Sequence, residues 1–222
     1  MTPIDNGTIN YRDELVRKLI HLFSLSIPII YYFIQRHDAI VILSILTFTA
    51  LLLDFARYVS PAVGKVFYKI FGVLLRRHEL DSRKKNLNGA TYVLISALIS
   101  VILFPKIFFI TAFSILIISD SMAALIGRKF GKHKLFAKSM EGTLAFFVSA
   151  SIVVFLTPKV NNLPLEYLIG IIAAAVGAVI ENISFGFADD NLAIPISIGF
   201  TMWLLYTALL PELQIVLPIL SR

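Results

Sequence analysis

The sequence contains repeated apolar stretches of about 20 residues, the length that an α-helix needs to cross the hydrocarbon core of a bilayer. Only 15% of the 222 residues are charged and 58% are hydrophobic, whereas roughly 25% of the residues of a soluble domain are charged. Because such a chain cannot cover itself with polar surface, we expect lipid to surround much of it. The sequence therefore predicts an all-α protein, a polytopic bundle of transmembrane helices.

Seven apolar stretches qualify as membrane spans. Their predicted ranges are 15–34, 39–58, 88–104, 107–126, 140–157, 165–183 and 192–210, after a polar N-terminal segment at 1–14. Residues 61–75 repeat apolar side chains at three- and four-residue steps, with Lys65 and Lys69 on another face. That pattern favours a helix lying in the membrane interface over an eighth span. The sequence thus predicts a single integral membrane domain over residues 1–222.

Positive charge is distributed unequally between the two sides of this bundle. With seven spans, 16 of the 20 Lys and Arg residues fall on the side of the N-terminus. By the positive-inside rule the N-terminus is cytoplasmic and the C-terminus lies outside, in a prokaryotic cell membrane or a eukaryotic endoplasmic reticulum or plastid membrane. Because the basic residues lie between spans, the net charge of +6 sets topology and does not indicate a nucleic acid partner. The lack of cysteine excludes disulfides, thiolate zinc sites and cysteine nucleophiles.

Polar and charged side chains gather at the predicted cytoplasmic ends of the spans, where they are costly and therefore mark a functional site. From the first span to the seventh they are Arg17, Lys18, His21, Asp54, Arg57, Asn88, Asp120, Lys138, Ser139, Glu141, Glu181, Asp189, Asp190 and Asn191. The loop after the fourth span adds Arg128, Lys129 and Lys132. We expect these groups to converge on one cytoplasmic site.

Structural roles compete with this interpretation for some of these residues. Arg17 and Lys18 also resemble topology anchors. Asp54 and Arg57 are more typical of a structural ion pair, and Ser139 is suited to cap the fifth span. Asp189 and Asp190 carry charges that a helix N-terminus favours. The small side chains of Ala123, Ala124 and Gly127, on one face of the fourth span, predict the close approach of another helix.

Collectively, the carboxylates and cations suit one chemistry. Mg²⁺ is held by a few carboxylates together with phosphate oxygens, and the basic loop after Asp120 suits the phosphates themselves. These groups are the minimum apparatus for phosphoryl or nucleotidyl transfer, here to a lipid that enters from the bilayer. The segment at 127–133 is one residue short of a P-loop and follows an apolar helix in place of a strand.

Five segments together resemble the polyprenol kinase family, which includes dolichol kinase, phytol kinase and the CTP-dependent diacylglycerol kinase of yeast and is related to phosphatidate cytidylyltransferases. They are R-K-L-I-H from Arg17, N-G-A-T-Y from Asn88, D-S-M-A-A-L-I-G-R-K-F-G-K from Asp120, K-S-M-E-G from Lys138 and D-D-N-L-A-I-P from Asp189. The resemblance covers the chain from about Arg17 to Pro195. One position departs from the family pattern, since Ser119 stands where members often have Gly.

The resemblance implies a phosphotransferase that uses CTP, with Mg²⁺, to phosphorylate the hydroxyl of a membrane lipid such as a polyprenol, a phytol-like isoprenoid or diacylglycerol. It assigns catalysis to Asp120, Lys138 and Asp190, with Asp190 as the general base. The nucleotide is assigned to Arg128, Lys129, Lys132, Lys138, Ser139 and Glu141, and the metal to Asp120, Glu141 and Asp189. Arg17, Lys18, His21, Asn88, Glu181 and Asn191 are placed in the site without a specific role.

Two other functions remain open. A cytidylyltransferase, in which a lipid phosphate attacks the α-phosphorus of CTP, needs the same ions, and only the resemblance of K-S-M-E-G favours the kinase. A transporter would use the buried charges as an ion path. It is disfavoured because the sequence shows no internal repeat and the acids lie at the ends of the spans instead of at the midplane.

Overall fold

A computed structural model describes residues 11–71, 87–184 and 189–215, which form nine α-helices and one short β-hairpin. The helices are α1 Tyr11–Phe23, α2 Ser26–Phe33, α3 Arg36–Val59, α4 Pro61–Phe71, α5 Gly89–Leu103, α6 Lys106–Phe130, α7 Met140–Leu156, α8 Pro164–Ile183 and α9 Asp190–Leu209. The hairpin, β1 Lys134–Leu135 and β2 Lys138–Ser139, connects α6 to α7. The predicted all-α membrane bundle is confirmed, although the hairpin was not predicted.

Within the described ranges, five segments are long and apolar enough to cross a membrane: α1 with α2, α3, α6, α8 and α9. The other two predicted spans, α5 and α7, have 15 and 17 residues. At 1.5 Å per residue they reach roughly 23 and 26 Å, less than the hydrocarbon core of about 30 Å. Each predicted span therefore coincides with a described helix or helix pair, while the orientation of the bundle remains a prediction.

The fourth predicted span, α6, is the central helix of the bundle. In its most apolar stretch 72% of the residues are buried, against 17–44% in the other four candidate spans. It packs against α1, α2, α7 and α9, and α8 closes the bundle by packing against α7 and α9. A residue on α6 near its C-terminal end is therefore within reach of several other helices.

The first predicted span is two helices and not one. The chain turns at Ser24 and Leu25 before α2 begins. Pro28 explains the break, because it has no backbone N–H for the carbonyl of Ser24, four residues earlier, and its ring crowds that carbonyl. Ile27 donates its N–H to Ser24 instead, at 3.0 Å. Consequently α1, which carries Arg17, Lys18 and His21, is a separate helix of 13 residues.

The predicted interfacial helix corresponds to α4, which packs against α3. Phe67 is buried there under Arg57, whose guanidinium carbon lies 4.7 Å from the ring centre. Val63 and Val66 are exposed, as expected for an apolar face without a protein partner. Residues 72–75 of the predicted helix lie outside the described residues, and its place at the interface stays a prediction.

The loop between α7 and α8 is held by two buried charges. Glu166 accepts the backbone N–H groups of Val160, Asn161 and Leu163, and the hydroxyl of Tyr206. Lys159 donates to the carbonyl oxygens at the end of α7. Burial lowers the pKa of Lys159 to about 8, although the Glu166 carboxylate opposes this shift. This loop is at the opposite end of α7 from the hairpin.

Candidate active site

A buried ion pair joins α1 to the central helix. Lys18 donates a hydrogen bond to Asp120 Oδ2, and the two residues are 2% and 6% exposed. His21, three residues after Lys18, places its Nε2 atom 3.8 Å from the same oxygen. Removing these charges from water is expensive, and the pairing of opposite charges offsets that cost. Lys18 is thus part of a buried ion pair and not a surface anchor.

A second network surrounds Lys138, which precedes α7. Its Nζ atom donates to Glu181 Oε1 at 2.6 Å and to Asp190 Oδ2 at 2.9 Å. Glu181 lies near the end of α8, and Asp190 is the first residue of α9. Asp190 also accepts a hydrogen bond from Ser184 through Oδ1. One ammonium group therefore connects β2 to α8 and to α9.

Electrostatics link the two networks. Burial by itself would lower the pKa of Lys138, but the carboxylates of Asp190 and Glu181 outweigh burial and raise that pKa above its ordinary value. The Asp120 carboxylate adds to this increase. Lys138 is therefore a fixed cation, and the two networks lie within electrostatic range of each other.

Asn182 holds the hairpin against α8 and was missed from the sequence. Its Oδ1 atom accepts the backbone N–H groups of Ala137 and Lys138, at 3.1 and 3.3 Å. Its Nδ2 atom donates to Thr143 Oγ1 at 2.6 Å. Asn182 is fully buried, and an amide beside Glu181 in an apolar helix was the available signal, since such groups are costly in a membrane without partners. It fixes the backbone from which Lys138 extends.

Ser139 caps α7, and its hydroxyl lies among three glycines. Its Oγ atom accepts the N–H of Gly142 at 3.2 Å. A Cβ atom at Gly127, Gly131 or Gly142 would lie within 2.8–3.1 Å of that oxygen. The small residues predicted at Ala123 and Gly127 do face another helix closely, because a Cβ at Gly142 would be 3.0 Å from the Ala123 carbonyl oxygen. Close packing between α6 and α7 thus places Lys138 and Ser139.

The predicted metal ligands are not brought together. Glu141 pairs with His133, at 2.7 Å between Oε1 and Nδ1, on the exposed side of the hairpin. Asp189 caps α9, where its Oδ1 atom accepts the backbone and side-chain N–H groups of Asn191. Among the residues that the structure describes, no three His, Asp or Glu side chains form a group suited to a metal ion. Asp120 is the predicted ligand that lies in the ion-pair networks.

The predicted basic residues occupy different environments. α6 continues four residues beyond its predicted end, so that Arg128 and Lys129 lie in its last turn. Arg128 places Nη1 3.7 Å from Glu14, a buried carboxylate of α1 that also accepts hydrogen bonds from Arg17. Lys129 and Lys132 are exposed. The end of α6 therefore has one anchored guanidinium and two exposed ammonium groups.

Asn88 belongs to a separate polar cluster between α3 and α5. The expected Asp54–Arg57 ion pair is present, at 3.1 Å. Asp54 also accepts the backbone and side-chain N–H groups of Asn88 and the hydroxyl of Thr91. Asn88 in turn caps α5 by accepting the N–H of Thr91. The structure joins Asn88 to Asp54 and not to the ion pairs of Lys18 and Lys138, which supports a structural role.

No family model matches the chain, and no solved structure matches it. A protein of Rickettsia prowazekii (strain Madrid E), described as uncharacterized, is 31% identical over 191 residues, 86% of this chain and 93% of that protein. CTP-dependent diacylglycerol kinase 1 of Schizosaccharomyces pombe is 27% identical over 168 residues, 68% of this chain and 74% of the kinase. Dolichol kinase sec59 of the same yeast is 37% identical over 93 residues, 40% of this chain and 17% of the kinase.

Proposed function

Because the chain belongs to the polyprenol kinase family of membrane lipid kinases, we propose that it transfers the γ-phosphoryl group of CTP to the hydroxyl of a membrane lipid. CTP is proposed as the donor because the diacylglycerol kinase relative is named for its dependence on it. The acceptor is a lipid alcohol, either an isoprenoid alcohol or diacylglycerol, since the two named relatives act on one of each class.

The observation that carries this proposal is the pair of buried ion networks around Lys18 and Lys138. Phosphoryl transfer requires little covalent chemistry from a protein and depends on fixed charges around the transferred group. Lys138 is a cation held on the hairpin by two carboxylates, and Asp120 is a buried carboxylate on the central helix. Both lie at the ends of apolar helices, where a lipid hydroxyl and a water-soluble nucleotide can meet.

The cations supply the nucleotide contacts in this proposal. Lys138 binds the phosphate that is transferred, and Arg128 binds the remaining phosphates. The exposed Lys129 and Lys132 attract the nucleotide from solution, because surface cations increase the local concentration of an anionic ligand. Ser139 positions the first turn of α7. Asn191 and His21 support Asp189 and Asp120, the residues that they contact.

The residues present fit a magnesium ion. Mg²⁺ is usually bound by one or two carboxylates together with substrate phosphates, so a protein group of three ligands is not required. Both cationic contacts of Asp120 use Oδ2, and Oδ1 has no partner among the described residues. Asp120 would hold the ion, which when bound neutralises charge on the phosphates. Glu141 and Asp189 are not used, since His133 and the N-terminus of α9 engage them.

The experiment is incubation of the purified protein with a lipid alcohol and CTP labelled at either the γ- or the α-phosphate. We expect lipid to gain label from γ-labelled CTP alone, and the Asp120→Asn variant to serve as the inactive control. A parallel reaction offers a lipid phosphate in place of the alcohol, and lipid label from the α-phosphate alone in that reaction would instead identify a cytidylyltransferase. Offering polyprenol, phytol and diacylglycerol in parallel identifies the acceptor, and ATP in place of CTP tests the donor.

A further inference from the structure

We propose that Glu181 is the general base that accepts the proton of the lipid hydroxyl, an inference that rests on the proposed function. Glu181 is 3% exposed, and only one of its two carboxylate oxygens is engaged. Oε1 accepts the hydrogen bond from Lys138, whereas Oε2 is buried and has no hydrogen-bond partner in the described part of the chain. A buried acceptor without a hydrogen-bond partner has a free-energy cost, which is larger when the acceptor is charged. A ligand that donates a hydrogen bond removes that cost.

The other carboxylates of the two networks are less suited to this role. Both oxygens of Asp190 are occupied, Oδ1 by Ser184 and Oδ2 by Lys138. The cationic contacts of Asp120 use Oδ2, and its Oδ1 atom is the one assigned above to the metal ion. Glu181 Oε2 is buried in the protein, so that a donor bound to it is shielded from bulk water. A lipid hydroxyl is a donor of that kind.

Lys138 allows Glu181 to gain a proton without leaving the lysine ammonium group unpaired. Its ammonium group donates to Glu181 Oε1 at 2.6 Å, which fixes the carboxylate, and it also donates to Asp190 Oδ2 at 2.9 Å. Once Oε2 is protonated, Asp190 still balances the charge of Lys138. The pairing of one ammonium with two carboxylates is therefore functional: Asp190 keeps the lysine paired while Glu181 changes its charge.

The proposed transfer step breaks two bonds and forms two. The O–H bond of the lipid alcohol breaks, its proton moves to Glu181 Oε2, and the alcohol oxygen forms a bond to the γ-phosphorus. The bond between the γ-phosphorus and the β–γ bridging oxygen breaks, and CDP leaves with that electron pair. Asp190, previously expected to be the base, becomes a positioning residue for Lys138.

The test compares Glu181→Gln with Asp190→Asn in the full-length protein. Glutamine keeps an acceptor for Lys138 but cannot take up the proton, so we expect kcat to fall by about 100-fold or more, with a change in KM for CTP below about threefold. A lipid alcohol with fluorine beside the carbinol carbon has a more acidic hydroxyl and needs the base less. It should restore much of the lost rate in Glu181→Gln and none in Asp190→Asn.

A second variant covers the case in which Glu181→Gln does not fold. Glu181→Ala leaves space beside Lys138, and added formate should restore turnover in a concentration-dependent manner. If Glu181→Gln keeps near-wild-type kcat, Glu181 is not the base. The same conclusion follows if the fluorinated alcohol does not restore Glu181→Gln and formate does not restore Glu181→Ala. Wild-type protein that transfers no γ-label would instead overturn the proposed function, so the two failures are distinguishable.

Discussion

Lys18 in α1 and Asp120 in α6 form a buried ion pair across 102 positions of the chain. Removing one partner leaves the other charge buried and unpaired, at a cost of about 3–5 kcal/mol, whereas replacing both partners costs much less. We therefore expect Lys18→Met and Asp120→Asn each to lower the thermal unfolding temperature in detergent. The double variant should be more stable than either single variant. Strictly additive losses would show that the two side chains do not interact.

Asp120→Asn and Lys138→Ala should each abolish phosphoryl transfer, because each removes a fixed charge from the reacting phosphates. Loss of one such group costs about 100- to 1,000-fold in kcat. Lipid labelling from γ-labelled CTP measures the loss, and extraction of monodisperse protein shows that the variants are folded. Asp38→Asn and Lys65→Ala, at exposed positions, are the matched controls and should retain turnover. Near-wild-type turnover of either site variant would remove that residue from the site.

Asn182→Ala should impair the reaction through the hairpin. The variant loses the hydrogen bonds to Ala137, Lys138 and Thr143, each worth about 0.5–1.5 kcal/mol. We expect kcat/KM for CTP to fall by at least about tenfold, mainly through KM, because Lys138 is less well positioned for the phosphates. Asn161→Ala, an exposed amide in the loop after α7, should have no such effect. A loss confined to unfolding temperature would indicate a purely structural role.

Gly127→Ala should destabilise the contact between α6 and α7. Its Cβ atom would lie 2.9 Å from Ser139 Oγ, closer than packed atoms tolerate. Ser139→Ala removes that oxygen and also the cap of α7, which is worth about 0.5–2 kcal/mol. Unfolding temperatures of the two single variants and the double variant form a cycle. We expect Gly127→Ala to cost less when Ser139 is already alanine, and equal costs would mean that another contact limits the approach.

Lys159 should make stability depend on pH in the alkaline range. Its pKa is lowered to about 8 in the folded protein and is about 10.4 in an unfolded chain. Between these values the unfolded chain binds more protons, so stability rises with pH across that window. The unfolding temperature of the wild type minus that of Lys159→Met should therefore increase from pH 8 to about pH 10.4. A difference that stays constant would mean that Lys159 is charged in the folded protein throughout.

The local features of this fold followed from the sequence, and the long-range pairs did not. Apolar runs predicted a helix or a helix pair at all seven positions, and five of these segments in the described part of the chain are long enough to cross a bilayer. The break after Ser24 was missed although Pro28 signals it, since hydropathy does not register a missing N–H. The charges at the ends of the predicted spans identified Lys18, Asp120 and Lys138 individually. Their partners depend on how helices pack, and periodicity within one helix does not encode that packing.

The predicted metal ligands also show that residue type and position in the sequence do not determine which groups a side chain contacts. Glu141 and Asp189 have the correct residue type and lie near the proposed site in sequence, yet one pairs with His133 and the other caps α9. In both cases the carboxylate contacts a residue fewer than ten positions away in the sequence. Asn182 had a weaker sequence signal, because an amide carries no charge and the hairpin that it holds spans only a few residues.

The order of charges along the chain has a consequence for biosynthesis. In both buried networks the cation is translated first: Lys18 precedes Asp120, and Lys138 precedes Glu181 and Asp190. A nascent first span therefore reaches the membrane with an ammonium group whose counter-ion has not yet been made. A long lysine side chain at the end of a helix can extend to the aqueous interface, where its ammonium group stays hydrated. The shorter side chain of an aspartate or glutamate does not reach as far. The site is thus completed only when the last described helix has been inserted.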